Sequence, residues 1–180
     1  MTRSSARFLD EFLIAAARAG DRRAFGALVG RWNGKLTAHA WRLTGDPEMA
    51  RDAAQEAWLE IVRGLHRLAD ERAFAAWAYR IVSRRCARQI AGAIRRRRLA
   101  EQVAAEPGAD VPEPGAAIEA GRLRAAIARL PASQRSAIAL FYLEEMSVAE
   151  VAVALDVPLG TVKTRLLHAR RKLRAALEGD

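Results

Sequence analysis

Residues 146–173, MSVAEVAVALDVPLGTVKTRLLHARRKL, contain two helical patterns separated by a short break. Ser147 and Glu150 have the spacing of a capping box, in which a hydroxyl and a carboxylate hydrogen-bond the free amides of a first helical turn. Pro158 suits the first turn of a second helix, because proline has a fixed φ and no N–H to donate. The second helix should bury one apolar stripe, formed by Val162, Leu166, Ala169 and Leu173. The stretch therefore predicts a short helix, a turn of about three residues and a longer helix.

The other side of the second helix is basic and mostly polar, and it carries Lys163, Thr164, Leu167, His168 and Arg171. This pattern is typical of a helix-turn-helix, whose second helix lies in the DNA major groove. Gly160 and Thr161 occupy the first turn, where free backbone N–H groups can bind a phosphate. The alternative is an ordinary helical hairpin with a solvated basic face.

Composition and charge restrict the class of protein. The chain has 180 residues, of which 51% are hydrophobic, and this is enough for helical cores. A formal net charge of +9 with a pI near 11.0 favours a polyanionic partner such as nucleic acid. Cys86 is the only cysteine, so no intramolecular disulfide can form. The chain has neither a membrane-spanning apolar run nor a signal-peptide pattern, so we expect a soluble, cytoplasmic protein without membrane insertion.

The first half of the chain predicts four helices. The first ends near Gly20 and has apolar residues at helical spacing, namely Phe8, Leu9, Phe12, Leu13 and Ala16. Asp21 should cap the second helix, which ends at Gly45, and Asp46 with Pro47 should begin the third. A fourth helix begins near Phe74 and becomes basic, with seven arginines from 84 to 98.

The composition changes after this basic run. Residues 99–121 contain five acidic residues and three prolines but no Lys or Arg, a composition typical of a linker. Helical patterns resume at Leu123 and continue into the helix-turn-helix. No strand-like alternation of useful length is present. The predicted fold class is all-α, with two small helical domains joined by a flexible acidic linker that contains Pro and Gly.

These patterns together resemble the extracytoplasmic-function (ECF) sigma factors of bacterial RNA polymerase, within the sigma-70 superfamily. The resemblance rests on LPASQRSAIALFYLEEMSVAEVAVALDVPLGTVKTRLLHARRKL at 130–173 and on DAAQEAWLEI at 52–61. It implies a sigma region 2 domain at 1–98, a linker at 99–117 and a sigma region 4 domain at 118–180. It also implies a transcription initiation factor that binds core RNA polymerase and promoter DNA, and that has an anti-sigma factor as inhibitor.

The resemblance assigns polymerase binding to Asp52, Gln55 and Glu56, which should be exposed opposite the apolar stripe of the third helix. The alternative for these three residues is a solvated polar face. Arg51 departs from the family, in which an acidic residue is common at this position.

In the fourth helix, Phe74, Trp77 and Tyr79 resemble the segment that supports opening of the minus-ten element, although the spacing of Phe74 and Trp77 favours packing in the core. Arg84 and Arg88 stand where the family usually has Asn and often Asp. A guanidinium can stack on a base or bind phosphate. The region 2 candidates for DNA binding are therefore Arg84, Arg85 and Arg88, in place of the Asn and Asp that the family usually has. The region 4 candidates that would read the minus-thirty-five element are Gly160, Thr161, Lys163, Thr164, Leu167, His168 and Arg171.

The sequence shows no nucleophile elbow, phosphate loop, metal cluster or paired catalytic carboxylates. We therefore expect no enzymatic activity, no catalytic residues, no cofactor and no metal. His39 and His66 are isolated on helices, which indicates structural or surface roles. The alternative function is a free-standing helix-turn-helix repressor or activator, but no dimer interface or ligand pocket is evident. An adaptor that binds only proteins is disfavoured by the arginine on both candidate DNA surfaces.

Overall fold

The computed structural model describes residues 3–101, 123 and 125–178, and all regular structure among them is helical. This confirms the all-α prediction. Seven α-helices are labelled here: α1 Arg3–Arg18, α2 Arg22–Thr44, α3 Pro47–Gly64, α4 Phe74–Glu101, α5 Ala132–Ile138, α6 Val148–Leu155 and α7 Leu159–Glu178. Short 3-10 turns cover Leu65–Arg67 and Glu71–Ala73, a further helical stretch covers residues 125–128, and a π-helical turn at Ala139–Leu143 extends α5.

The described residues form two compact units. The first contains the residues up to Cys86 and Val153–Asp156, and the second contains the remaining described residues. Of the predicted linker at 99–117, residues 99–101 belong to α4, and the rest lies outside the described residues. Within the described part of the chain, no helix is long and apolar enough to cross a membrane.

Local capping fixes the ends of the helices in the first unit. The Asp21 carboxylate accepts from the backbone N–H groups of Arg23 and Ala24, and Asp46 does the same at the start of α3. Such a cap is worth about 1 kcal/mol, because it pairs amides that have no partner within the helix. Gly45 ends α2 with a φ of +73°, a conformation that glycine adopts without steric cost. All three boundaries match the prediction.

Aromatic residues of α2 and α4 form the core of the first unit. Trp32 meets Phe74 edge to face with ring centroids 5.1 Å apart, and Tyr79 lies 5.9 Å from Trp32. His39 is fully buried beside Tyr79, and its Nε2 is 2.9 Å from the Ser83 hydroxyl. Burial lowers the pKa of His39 to about 3, because the charged imidazolium would lose its hydration. The packing role expected for Phe74 and the structural role expected for His39 are therefore confirmed, whereas Trp77, for which packing was also expected, is half-buried.

The apolar residues of the first helix are only partly buried. α1 buries Leu13 and Ile14, but Phe8 and Phe12 are 73% and 67% exposed. The salt bridge from Arg31 Nε to Asp10 Oδ1, 2.6 Å long, fixes the orientation of α1 on α2. The helical spacing of these apolar residues did not predict which of them are exposed, because the rotation of α1 is set by contacts between helices.

The second unit is organised around α7. Many of its buried residues come from α5, the π-helical turn and one side of α7, and these include Ala137, Leu140, Val162, Leu166 and Ala169. On the surface, the Arg170 side chain donates to the Tyr142 hydroxyl at 2.9 Å and lies 5.8 Å from the centre of the Phe141 ring. The buried side of α7 therefore packs against the rest of the unit, and its other side stays exposed.

Candidate nucleic-acid interface

The helix-turn-helix is formed as predicted. The Ser147 N–H donates to Glu150 Oε2 at 2.7 Å, and the Glu150 N–H donates to the Ser147 hydroxyl at 3.2 Å. This is the reciprocal capping box at the start of α6. Residues 156–158 separate α6 from α7, so the turn has three residues. The Pro158 carbonyl accepts the first α7 hydrogen bond from the Thr161 N–H at 2.9 Å.

Asp156 has a positive φ of 54°, and this turn conformation was not predicted. The left-handed region costs a residue with a Cβ about 1–2 kcal/mol, although Asp tolerates it better than most. The Val157 N–H reaches back to the Ala152 carbonyl at 3.1 Å, which satisfies a free carbonyl at the end of α6. A glycine at position 156 would have been the usual signal, so the sequence contained little from which to predict this cap.

The predicted DNA-binding side of α7 is exposed. Six of its seven candidates lie at the surface, and Thr161 is half-buried. The exposed six are Gly160, Lys163, Thr164, Leu167, His168 and Arg171. The Thr164 hydroxyl donates to the Gly160 carbonyl at 3.0 Å, which leaves its oxygen lone pairs as possible acceptors. Leu167 is 48% exposed, an arrangement that suits contact with an apolar group such as a thymine methyl.

On α3, the three predicted polymerase-binding residues share one exposed side. Asp52, Gln55 and Glu56 lie opposite the buried stripe of this helix, as expected from its periodicity. The buried stripe contains Ala50, Ala53, Ala54, Ala57, Trp58 and Ile61. The arrangement presents two carboxylates and an amide to the surroundings, and it is suited to a partner with basic groups.

An apolar groove between α2 and α3, which was not predicted from the sequence, lies beside these residues. The groove has a volume of about 400 Å³ and is lined by Phe25, Val29, Asn33, Thr37, Arg51, Gln55, Trp58, Leu59 and Val62. Leu59 and Val62 are 56% and 53% exposed. Trp58 lines the groove, and its Nε1 donates a hydrogen bond to Asn33 Oδ1 at 3.1 Å. The available signal was that Leu59 and Val62 fall on the same side of α3 as Gln55.

The three region 2 arginine candidates differ in their surroundings. Arg84 and Arg88 are exposed on α4, whereas Arg85 is half-buried. Arg85 donates from Nε and Nη2 to Glu60 Oε2, at 3.1 and 2.6 Å, and from Nη1 to Glu56 Oε2 at 3.2 Å. The hydrogen bonds to Glu60 raise the pKa of Arg85. A predicted DNA contact and a predicted polymerase contact therefore form one ion cluster.

The other titratable residues singled out from the sequence are either buried in the core or exposed to solvent. Cys86 is buried, and desolvation raises the pKa of its thiol to about 12. His66 is exposed next to Arg67. In the described part of the chain, no group of three or more His, Cys, Asp or Glu side chains is arranged to hold a metal ion.

Comparison with known families matches both halves of the chain. Residues 28–98 match the family described as Sigma-70 region 2, and residues 120–173 match Sigma-70 region 4. The first match contains α3 and most of α4. The second contains the helix-turn-helix through Leu173. The two families therefore cover both surfaces described above, in the order implied by the resemblance.

Individual relatives match over nearly the full chain. The ECF RNA polymerase sigma factor SigW of Bacillus subtilis is 30% identical over 91% of this chain and 94% of its own length. The ECF RNA polymerase sigma factor SigM of Mycobacterium tuberculosis is 33% identical over 93% of this chain and 84% of its own. The solved structure of CnrH in complex with the cytosolic domain of CnrY is 28% identical, with a TM-score of 0.61 over 96% of this chain and 99% of that one. The chain therefore belongs to the ECF sigma factors of the sigma-70 family.

Proposed function

We propose that this ECF sigma factor directs core RNA polymerase to specific promoters, with α3 docking on the polymerase and α7 reading duplex DNA. In this scheme residues 1–98 form the region 2 domain, residues 99–117 the linker and residues 118–180 the region 4 domain. The protein acts in the cytoplasm as a non-catalytic initiation factor, because its contribution is binding energy directed at DNA and polymerase. The observation that carries the proposal is the presence of both family regions in one chain.

The exposed side of α7 supports promoter reading. Lys163, His168 and Arg171 supply donors, Thr164 supplies a hydroxyl, and Leu167 supplies an apolar contact. A major groove distinguishes base pairs by acceptors, donors and the thymine methyl, so this mixture can read sequence. The first turn of α7, with Gly160 and Thr161, is suited to hold a phosphate on its free N–H groups. The proposed element read by this surface is the minus-thirty-five element.

The surface of α3 supports docking. An apolar groove with Leu59 and Val62 at its edge lies next to Asp52, Gln55 and Glu56. Protein interfaces commonly combine an apolar centre with a polar rim. A partner helix with apolar and basic side chains would therefore satisfy both parts of this surface. We assign that partner to the largest subunit of core RNA polymerase.

Arginines of α4 support contact with the minus-ten region. Arg84 and Arg88 are exposed on this helix, and the arginines that follow extend its positive charge toward its C-terminal end. A guanidinium can bind phosphate and can stack on an unpaired base. Polymerase would hold both DNA-binding surfaces on one scaffold, which converts two weak contacts into one strong contact.

An inhibitory protein partner also fits this assignment. CnrH was solved with the cytosolic domain of CnrY bound, and this chain shares its fold over 96% of its length. We therefore propose that an anti-sigma factor binds this chain and blocks it from polymerase.

Charge reversal on α3 tests the docking assignment. Asp52→Arg with Glu56→Arg should abolish promoter-specific run-off transcription with core enzyme, because the face would repel the basic partner surface. The circular dichroism spectrum of the same variant should stay close to that of the wild type, and so should the duplex affinity contributed by the second domain. Ala69→Arg with Ala73→Arg, at exposed positions outside α3, controls for added positive charge. Full transcription by the α3 variant would show that polymerase docks on a different surface.

A further inference from the structure

The ion cluster between α3 and α4 suggests a regulatory link between two binding surfaces. Arg85 contributes one positive charge, and Glu56 and Glu60 contribute two negative charges. The side chains of the three residues are 27%, 47% and 37% exposed. The cluster therefore lies at the surface with an excess of negative charge, and its arginine is on the helix that also carries Arg84 and Arg88.

The hydrogen bonds determine what Arg85 can offer to another ligand. Its Nε, Nη1 and Nη2 all donate to carboxylate oxygens. A guanidinium binds a phosphate with these same donors, so a nucleic acid would have to displace carboxylates to engage Arg85. Nearby negative charge would also repel the phosphate. In the free protein, Arg85 should therefore contribute little to nucleic-acid affinity.

The two carboxylates hold Arg85 differently. Glu60 accepts two hydrogen bonds, one as short as 2.6 Å, whereas Glu56 accepts one at 3.2 Å and is more exposed. A cation from a partner could thus engage Glu56 while Glu60 still holds the guanidinium in position. Nη1 of Arg85 would then lose its acceptor and become available to a phosphate.

We propose that Arg85 is a conditional nucleic-acid contact, neutralised by Glu60 and Glu56 in the free protein and made available when a basic partner surface binds Glu56. The proposal rests on the function proposed above, in which Glu56 faces polymerase. It adds a coupling between docking and DNA binding through one side chain. Such coupling is reciprocal, so nucleic acid bound at Arg85 would also favour docking at Glu56.

The test measures binding of the full chain to a labelled oligothymidylate without polymerase. A single strand offers no duplex major groove to α7, so the assay emphasises the arginines of α4. Arg85→Gln in the otherwise wild-type chain should change the dissociation constant by less than about two-fold. In a Glu56→Gln, Glu60→Gln background, the same substitution should weaken binding several-fold. In that background it should also reduce, by about 0.7, the slope of the logarithm of the binding constant against the logarithm of the salt concentration. This is the change expected for the loss of one phosphate contact to a single strand.

Two further comparisons complete the experiment. Arg84→Gln is the matched control, because it removes a guanidinium from the same helix and should have the same effect in both backgrounds. Glu56→Gln alone imitates a partner that neutralises this carboxylate, and it should already reveal an effect of Arg85→Gln. Circular dichroism of each variant monitors folding.

The proposal is overturned if Arg85→Gln has equal effects in the wild-type and doubly substituted chains. It is also overturned if removal of the Glu56 charge alone leaves the effect of Arg85→Gln unchanged, since the link to docking would then be absent. Failure of the sigma function would instead appear as a lack of run-off transcription with core enzyme. The two outcomes are separate, because the oligothymidylate assay contains no polymerase.

Discussion

Gly64→Ala should destabilise the first unit, because a methyl group at this position would overlap Trp77. An ideal Cβ on Gly64 would lie 2.8 Å from Trp77 Cζ2 and 3.3 Å from Cη2. Overpacking of this kind costs about 1–3 kcal/mol, whereas alanine recovers at most about 1 kcal/mol of helix propensity, and less at the last residue of a helix. We expect a net loss of about 1–2 kcal/mol in the free energy of unfolding.

Urea denaturation followed by tryptophan fluorescence measures this loss. All four tryptophans lie in the first unit, so the signal reports its unfolding. If the free energy of unfolding falls by about 1–1.5 kcal/mol per molar urea, the urea concentration at the unfolding midpoint should fall by about 1 M. Gly34→Ala is the control, because a Cβ on this α2 residue would have no neighbour within 4 Å, and it should raise stability by about 0.5–1 kcal/mol.

A second substitution identifies the cause. Trp77→Phe removes the ring atoms that would meet the new methyl group, so Gly64→Ala should cost less in that background. The reasoning is refuted if Gly64→Ala stabilises the protein as much as Gly34→Ala does. It is also refuted if the cost persists undiminished beside Phe at position 77.

Three further predictions concern the core, the capping box and the DNA-binding surface. Because the pKa of His39 is about 3 in the folded protein and near 6.5 when unfolded, stability should fall as pH drops below 6.5, by up to about 1.4 kcal/mol per pH unit; urea midpoints at pH 7, 6 and 5 should show a slope that His39→Gln reduces and His66→Gln does not. Ser147→Ala should cost the second unit about 1 kcal/mol, since the Glu150 N–H loses its acceptor, and thermal melts followed by circular dichroism measure this; an unchanged melting temperature would contradict it. Lys163→Glu should weaken binding to a selected promoter duplex by about 1–3 kcal/mol, and unaltered affinity at matched salt would remove Lys163 from the contacts.

Local signals allowed much of this fold to be predicted. The caps at Asp21 and Asp46, the end of α2 at Gly45 and the capping box before α6 depend on residues within about four positions of one another. The exposed sides of α3 and α7 follow from helical periodicity in the same way. The placement of Asp52 and Lys163 at the surface could therefore be predicted without any knowledge of how helices pack.

Other features depended on contacts between helices. The all-α class, the three-residue turn and the exposed sides of α3 and α7 could be predicted, because each is encoded within a few residues. The exposure of Phe8 and Phe12, the groove between α2 and α3, and the bonds from Arg85 to Glu56 and Glu60 could not. These features join residues that are distant along the chain: Arg85 and Glu60 are 25 residues apart, and their contact depends on the packing angle of two helices, which no local pattern contains.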